Sequence, residues 1–341
     1  MRASEPYAVL VVTYNHAETL PACLTAIEGL SPAPARVVVI DNASADDSAE
    51  IAARGASMLP LQLIREPRNT GFAAAVNRGL SAITAPWVLL LNPDCAPRPD
   101  FVSRLLEALH SRPECERVGA ITGKLLRAAG PDLQPGRVVD AAGMVVTPSG
   151  RHLDRGAGEE DSGAFDDRAW VFGGTGAATL FRRAALDDVA YPDGEVLATS
   201  FFTYREDAEL AWRLQWRGWR CLYVPTAVAA HRRGFRPEDG RRGHAEINRH
   251  SVRNRFLLRI HCADLGWHLA CLPWWFLRDL VVIGACLTVE RASLPALGDV
   301  WRLRGDARRR RRLVLGRRTV PSRRLRSWFR KRGQVVEIET P

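Results

Sequence analysis

Apolar positions in this chain fall into short unbroken runs separated by amphipathic stretches. Tyr7 to Val12 is one such run, closed by Thr13-Tyr14-Asn15, and a helical pattern follows from about Ala17 to Leu30. Arg36 to Ile40 repeats the strand pattern and ends in Asp41-Asn42, with Ser44-Ala45-Asp46-Asp47 placed to cap the next helix. Leu61 to Arg65 reads as a third strand, Phe72 to Ile83 as a helix and Trp87 to Leu91 as a fourth strand. Unbroken β-branched and leucine runs alternating with helices predict a parallel sheet covered on both faces, hence an α/β fold. Ligands of such sheets bind beyond the carboxyl ends of the strands. The segments to inspect are therefore Thr13 to Asn15, Asp41-Asn42 and Asn92 to Asp94.

Between Leu125 and Arg168 the pattern loosens into Gly, Pro and acidic residues around one strand-like piece, Val138 to Thr147. An excursion over the sheet or a mobile loop is expected there. Order returns at Phe172 to Arg182. Ala208, Ala211, Trp212, Gln215, Trp216 and Trp219 fall at helical spacing and predict an amphipathic helix over Glu206 to Arg217. A strand from Trp219 to Val224 and a helix from His244 to Ile260 follow. Leu265 to Val289 is strongly apolar but interrupted by Pro273, Arg278 and Asp279, leaving uncharged stretches of 13 and 10 residues. Both fall short of the ~20 residues that cross a bilayer. The segment therefore reads as a buried helical hairpin or an interfacial anchor, with Trp267, Trp274 and Trp275 suited to headgroup depth.

Composition narrows the class. With 46% hydrophobic and 25% charged residues over 341 positions, the chain is not a disordered, collagenous or disulfide-scaffold protein. Its net charge of +10 is concentrated: residues 302–332 hold fifteen Lys and Arg against the single acid Asp306. Seven scattered cysteines form no CxxC pair, so neither a zinc site nor a disulfide framework is suggested. Met1 to Pro6 lacks the basic and apolar regions of a signal peptide, so a reducing cytosolic compartment is expected.

Five constellations carry candidate chemistry, and each has a plain structural reading beside it. Asp41 stands where a ribose- or base-binding carboxylate would, or caps a turn; the absence of G-x-G-x-x-G after the first strand removes most support for dinucleotide binding. Asn69-Thr70-Gly71 through Asn77-Arg78-Gly79 is a small-residue helix start, fit for an anion or for tight packing on the sheet. Asn92-Pro93-Asp94 supplies a strand-end carboxylate for a hard divalent cation, or an Asn-Pro turn. Glu206 and Asp207 offer a general base at a helix entrance, where a capping box with Thr203 reads equally well. His231 is a metal ligand or a structural histidine.

The order of these pieces is more telling than any one of them. Val11-Val12-Thr13-Tyr14-Asn15, Val39-Ile40-Asp41-Asn42-Ala43-Ser44, Asn69 to Gly79, Leu89 to Asp94, Gly176 to Arg182, Phe201 to Arg213, His231-Arg232-Arg233-Gly234 and Arg253-Asn254-Arg255 together resemble glycosyltransferase family 2, in its rhamnosyltransferase-like branch, over about residues 7–260. The resemblance implies a GT-A fold, a Rossmann-like mostly parallel sheet flanked by helices, with a C-terminal helical extension. It implies an inverting enzyme that uses a nucleotide-diphosphate sugar, dTDP-rhamnose as the first candidate, with Mg²⁺ or Mn²⁺. By analogy Thr13, Asn15, Asp41, Asn69, Gly71 and Asn77 would hold the donor nucleotide, and Asp94 and His231 the metal. Asp207 would be the general base with Glu206 beside it, and Glu209 and Arg213 would face acceptor or diphosphate. Asn92 replaces the first aspartate of the family's D-x-D element, and Glu209 stands where Asp is frequent.

The expected organisation is a GT-A domain over 1–240, a helical, membrane-associated region over 241–300 and an Arg-rich basic tail over 301–341. The tail fits an anionic membrane surface, and with it a glycan or lipid-linked acceptor at the inner face of the cell membrane in cell-surface polysaccharide synthesis. No module accompanies the tail that would make nucleic acid a partner. Two other classes stay open: a nucleotidyltransferase, which would usually carry a Gly- and Lys/Arg-rich loop after the first strand, and a catalytically silent scaffold.

Overall fold

The computed structural model describes residues 5–55, 59–111, 115–234, 245–330 and 336–337. The first half alternates as the apolar runs predict: β1 (Tyr7–Thr13), α1 (Leu20–Glu28), β2 (Arg36–Asp41), α2 (Ser48–Gly55), β3 (Leu61–Arg65), α3 (Phe72–Leu80) and β4 (Trp87–Leu91). β1 pairs in parallel with β2 and β4, and β2 with β3, so four strands end on one edge. Tyr7, Val9 and Val11 pack with Leu20, Cys23 and Ile27 of α1, whereas Ala8, Leu10 and Val12 pack with Ala73, Val76 and Leu80 of α3. This two-sided burial is why the strands read as unbroken apolar runs. The small residues of α3 serve close packing: a Cβ at Gly79 would lie 2.2 Å from Leu10 Cδ1, and one at Gly71 would lie 2.5 Å from the Phe202 ring.

The chain continues through β5 (Cys95–Pro97), α4 (Phe101–His110), β6 (Val118–Ala129), β7 (Gln134–Ala141), β8 (Met144–Val146), β9 (His152–Asp154), β10 (Ala169–Val171), β11 (Ala178–Arg182), α5 (Arg183–Val189), α6 (Glu206–Trp216) and β12 (Arg220–His231). β11 lies antiparallel between β4 and β6, and β6 runs parallel to β12. β5 pairs antiparallel with the far end of β12, with Cys95 opposite His231. The stretch expected as an excursion or mobile loop is built into this frame instead. β7 folds back on β6, and β8 and β9 form a hairpin. β7 spans eight residues, but β8 and β9 have three each, too short to establish an alternation in the sequence.

Four helices follow: α7 (Ala245–Cys262), α8 (Leu265–Thr288), α9 (Pro295–Gly316) and α10 (Ser322–Arg330). A terminal pair, β13 (Val336–Glu337), adds to the edge beside β10. Trp212 and Trp216 of α6 form one core with Leu257, Leu258 and Cys262 of α7, Trp267 of α8, Ala307 and Val314 of α9, and Leu325 and Phe329 of α10. Two expectations change here. α8 is one continuous helix of 24 residues through Pro273, not a buried hairpin, and it is long and apolar enough to cross a membrane by length and composition. Its interrupting charge is neutralised laterally, because Asp279 turns inward and pairs with Arg259 of α7. Leu265, Leu269, Leu272, Phe276, Leu280 and Leu287 remain exposed along it.

The Arg-rich stretch is also not a free tail as far as Arg330. Arg310 is only 3% exposed and is bound by Asp306 and Glu195. Arg311 donates to the carbonyls of Ile260 and Ala263 at the end of α7. Arginines carry long apolar stems and donors suited to helix ends, so a run counted as charge in sequence can be packing in three dimensions. Arg310→Ala should destabilise the fold by about 3 kcal/mol, since it leaves carboxylates without their cation. Urea unfolding checks this, and an unchanged midpoint would mean that the arginine run contributes nothing to the core.

Candidate active site

The edge where the parallel strands end holds two polar atoms without partners. β1 and β2 are in register with Thr13 opposite Asp41. Both residues are buried, and Thr13 Oγ1 and Asp41 Oδ1 accept or donate no hydrogen bond. The other Asp41 oxygen accepts from the Ser44 amide at 3.3 Å. An unpaired buried polar atom is costly unless a ligand, an ion or water completes its bonding. Asn15 ties the two loops above the pocket together, its Oδ1 accepting from the Ala45 amide at 2.7 Å.

Asn69 and Asn77 have internal duties. Asn69 Oδ1 accepts from Asn42 Nδ2 and the Gly71 amide, latching the loop that starts α3. Asn77 donates to Leu197 O and accepts from the Val196 and Leu197 amides. The expectation that Asn77 holds the donor nucleotide is therefore corrected: its amide braces the 196–197 backbone. Gly71, at φ 83°, admits Phe202 against the helix start.

Beyond β4, Asp94 and His231 meet through the β5–β12 pairing, reinforced by the Arg232 amide donating to Asp94 O at 2.9 Å. His231 Nε2 and Asp94 Oδ1 face one another at 3.4 Å, and neither makes a hydrogen bond. On the opposite side of the ring, His231 Nδ1 lies 2.7 Å from Asp140 Oδ2. Arg233 bridges Asp140 and Asp154 at 3.1 and 2.7 Å. Burial alone would lower the imidazole, but the carboxylates of Asp94 and Asp140 push it up to about 9. Burial would raise the Asp94 carboxyl, and the imidazolium holds it below the usual aspartate range.

A carboxylate oxygen and an imidazole nitrogen facing each other across a 3.4 Å ion pair, the ring's far side fixed by a carboxylate, fit a divalent cation that takes the place of the imidazolium proton. Among the described residues no group of three or more His, Cys, Asp or Glu could hold a metal, so Asp94 and His231 would leave most positions to diphosphate oxygens and water.

The second carboxylate pair opens α6. Glu206 is buried with Oε2 unpartnered, while Asp207 is half-buried, its Oδ2 accepting from the Gly176 amide at 3.3 Å. Burial, then the Asp207 charge, pushes Glu206 up to about 8; burial and Asp154 raise Asp207 above the usual range. Glu206 is the deeper of the two, and the charge of Asp207 is part of what keeps its proton on. The preceding loop is strained: Phe202, Tyr204 and Arg205 all have φ between 63° and 71°. Asn254 of α7 clamps it, its amide donating to the carbonyls of Phe201, Thr203 and Tyr204 at 2.7–2.8 Å. Arg253 donates to Phe201 O as well.

Glu209 and Arg213 do not face this site, which corrects the expectation for them. Glu209 is fully buried and ion-paired with Arg213, and it also receives the Tyr191 hydroxyl. Burial works against its charge, but Arg213 and His261 hold the carboxyl down to about 2. Arg213 donates onward to Val189 O and Val196 O. An acid and an arginine four apart on a helix suit a ligand site and an interior ion pair equally well in sequence. Asp140 and Asp154 escaped sequence reasoning, and Arg233 entered it only within the His231 to Gly234 motif; for Asp140 the available signal was an acid inside the apolar piece Val138 to Thr147.

The unpartnered oxygens at β1–β2, the facing Asp94 and His231 at β4–β12 and the carboxylates that open α6 sit on a mostly parallel α/β sheet of the GT-A type. The glycosyl transferase family 2 profile matches residues 8–189, and the chain belongs to that family. The N-acetylglucosaminyl-diphospho-decaprenol L-rhamnosyltransferase of Mycobacterium tuberculosis is 27% identical over 91% of this chain and 98% of its own length. Among solved structures, a Pyrobaculum calidifontis mannosyltransferase with GDP-mannose and Mn²⁺ aligns at TM-score 0.52 and 20% identity, covering 92% of this chain and 85% of that one. TarS residues 1–349 of S. aureus with UDP-GlcNAc aligns at TM-score 0.51 and 16% identity, covering 91% and 90%.

Because Glu206 is raised to about 8, its burial cost grows as pH rises from its unfolded value of 4.5 to 8 and is constant above. Glu206→Gln should therefore raise the melting temperature by several degrees at pH 8 and by much less at pH 5. Equal shifts at both pH values would show that Glu206 is not held protonated.

Proposed function

We propose that the chain is an inverting, divalent-metal-dependent transferase that moves L-rhamnose from dTDP-rhamnose to a hydroxyl of a diphosphate-linked polyprenyl glycan. The observation that carries the reaction type is the facing Asp94 and His231, ion-paired at 3.4 Å without a hydrogen bond between them, beside the carboxylates that open α6. The sugar and the acceptor class rest on the mycobacterial relative, whose alignment covers 91% of this chain.

In this reading Thr13 and Asp41 bind the nucleoside through their unpartnered oxygens. A cation held by Asp94 and His231, Mg²⁺ or Mn²⁺, would neutralise charge on the departing diphosphate. Asp207 takes the proton of the acceptor hydroxyl as its oxygen bonds to the anomeric carbon from the face opposite the leaving group. The glycosidic bond forms, the sugar–phosphate bond breaks, and the configuration inverts. A carboxylate raised above its usual range is the stronger base for this step. The exposed apolar stripe of α8, with exposed Arg302, Arg308, Arg309 and Arg312 on α9, would seat the enzyme peripherally on an anionic inner membrane face.

Asp207→Asn should abolish transfer while leaving Mn²⁺-dependent nucleotide binding within about twofold of the wild type. Asp94→Ala should weaken that binding by at least about tenfold. Calorimetry with dTDP-rhamnose, UDP-glucose, UDP-galactose and GDP-mannose, each with Mn²⁺ and with EDTA, reads the donor. A metal-dependent preference for another sugar nucleotide would replace rhamnose, and normal turnover by Asp207→Asn would remove the base assignment.

A further inference from the structure

The Arg253-Asn254-Arg255 triplet of α7 is used unevenly. Arg253 and Asn254 hold the loop before Glu206, as described, whereas Arg255 makes no hydrogen bond or ion pair among the described residues. Its Nη1 is a buried atom with no acceptor. The groups around it are mostly of its own sign. Arg205, the residue just before the carboxylate pair, reaches α7 one turn away, its Nε donating to Ser251 O at 3.3 Å. Arg259, one turn further along α7, is already matched by Asp279, and Arg278 adjoins that aspartate on α8. Burial, then Arg205 and Arg278, pushes the Arg255 guanidinium down to about 9.

A neutral donor completes the set. His152 Nε2 accepts from Trp212 Nε1 at 2.7 Å, which leaves the proton on Nδ1, and Nδ1 is buried without a partner. Burial and the nearby Arg205 and Arg255 hold this imidazole down to about 3, so it stays neutral. One unmatched guanidinium, Arg255, among groups mostly of its own sign and beside a buried N–H donor without a partner calls for a multiply charged, oxygen-rich anion. The cluster sits between the carboxylate pair at the start of α6 and the apolar exterior of α8, where Trp274, Leu277 and Val281 are exposed.

We propose that Arg255, with Arg205 and Arg278, binds the diphosphate of the lipid-linked acceptor, directing its glycan toward Asp207 and its polyprenyl chain onto α8. This rests on the diphosphate-linked acceptor of the proposed function. Recognition of the acceptor is then divided from that of the donor, whose diphosphate belongs to Asp94 and His231.

Farnesyl diphosphate binding to the full chain in EDTA, measured by calorimetry, tests the site. Wild type should bind, and Arg255→Gln should bind at least about tenfold more weakly, the loss expected for charge-assisted hydrogen bonds. UDP affinity in Mn²⁺ and binding to phosphatidylglycerol vesicles should not change. Arg255→Gln should melt at or above the wild-type temperature, because it removes an unmatched buried charge, whereas a merely structural arginine would lower it. Arg255→Lys, which keeps the charge, should retain most of the affinity. Absence of wild-type binding, or equal binding by Arg255→Gln, overturns the proposal. Loss of UDP affinity alongside would assign Arg255 to the donor, and loss of vesicle binding alone would assign it to a lipid headgroup; either overturns it too. Transfer is scored separately: Arg255-dependent farnesyl diphosphate binding without sugar transfer to a diphosphate acceptor upholds this site and removes the acceptor proposed above.

Discussion

The site depends on one backbone pairing between distant segments. The short β5 lies against the last residues of β12, and their register sets Cys95 opposite His231. With the Arg232 amide bound to Asp94 O, this fixes a carboxylate and an imidazole face to face inside the protein. Neither residue could hold that position alone, because a strand-end loop is among the more mobile places in a fold. The antiparallel β11 makes the pairing possible. It separates β4 from β6 and β12, so that the end of β12 returns over the loop that follows β4.

A second constraint acts from outside the sheet. Three consecutive-region residues with positive φ before Glu206 are costly, on the order of 1–3 kcal/mol each. Asn254 and Arg253 offset this by satisfying carbonyls that the strained turn leaves without helical or sheet partners. The orientation of the carboxylate pair is thus set by α7. That helix is in turn held by α9 and by the Arg259–Asp279 pair with α8.

Much of this was legible in the sequence where a physical rule is local. Strands β1 to β4 announce themselves because both faces are covered, and Asp41 and Asp94 come to notice because they close strands, the place where ligands of such sheets bind. Asn77, Glu209 and Arg213 were misplaced for the opposite reason. Their polar groups look available in one dimension and are consumed by the 196–197 backbone, by Tyr191 and by each other in three. Asp140 and Asp154 lie on short strands whose partners are remote, so nothing nearby marks them. The arginine run shows the limit of charge counting, since Arg310 is interior while its neighbours Arg308 and Arg309 are exposed.

The Asn254 clamp bears on how such a protein can be divided or recombined. The family profile ends at residue 189, and within it lie Thr13, Asp41 and Asp94. Asp207, His231 and Asn254 all lie beyond it. The unit of inheritance recognised in sequence is therefore smaller than the unit that holds these side chains together. A chimaera joined at that boundary would keep the strand ends of β1 to β4 yet take the α6 carboxylates, His231 and the brace on their loop from the other parent, and only parents whose seventh helices grip the same loop could exchange halves and keep this arrangement.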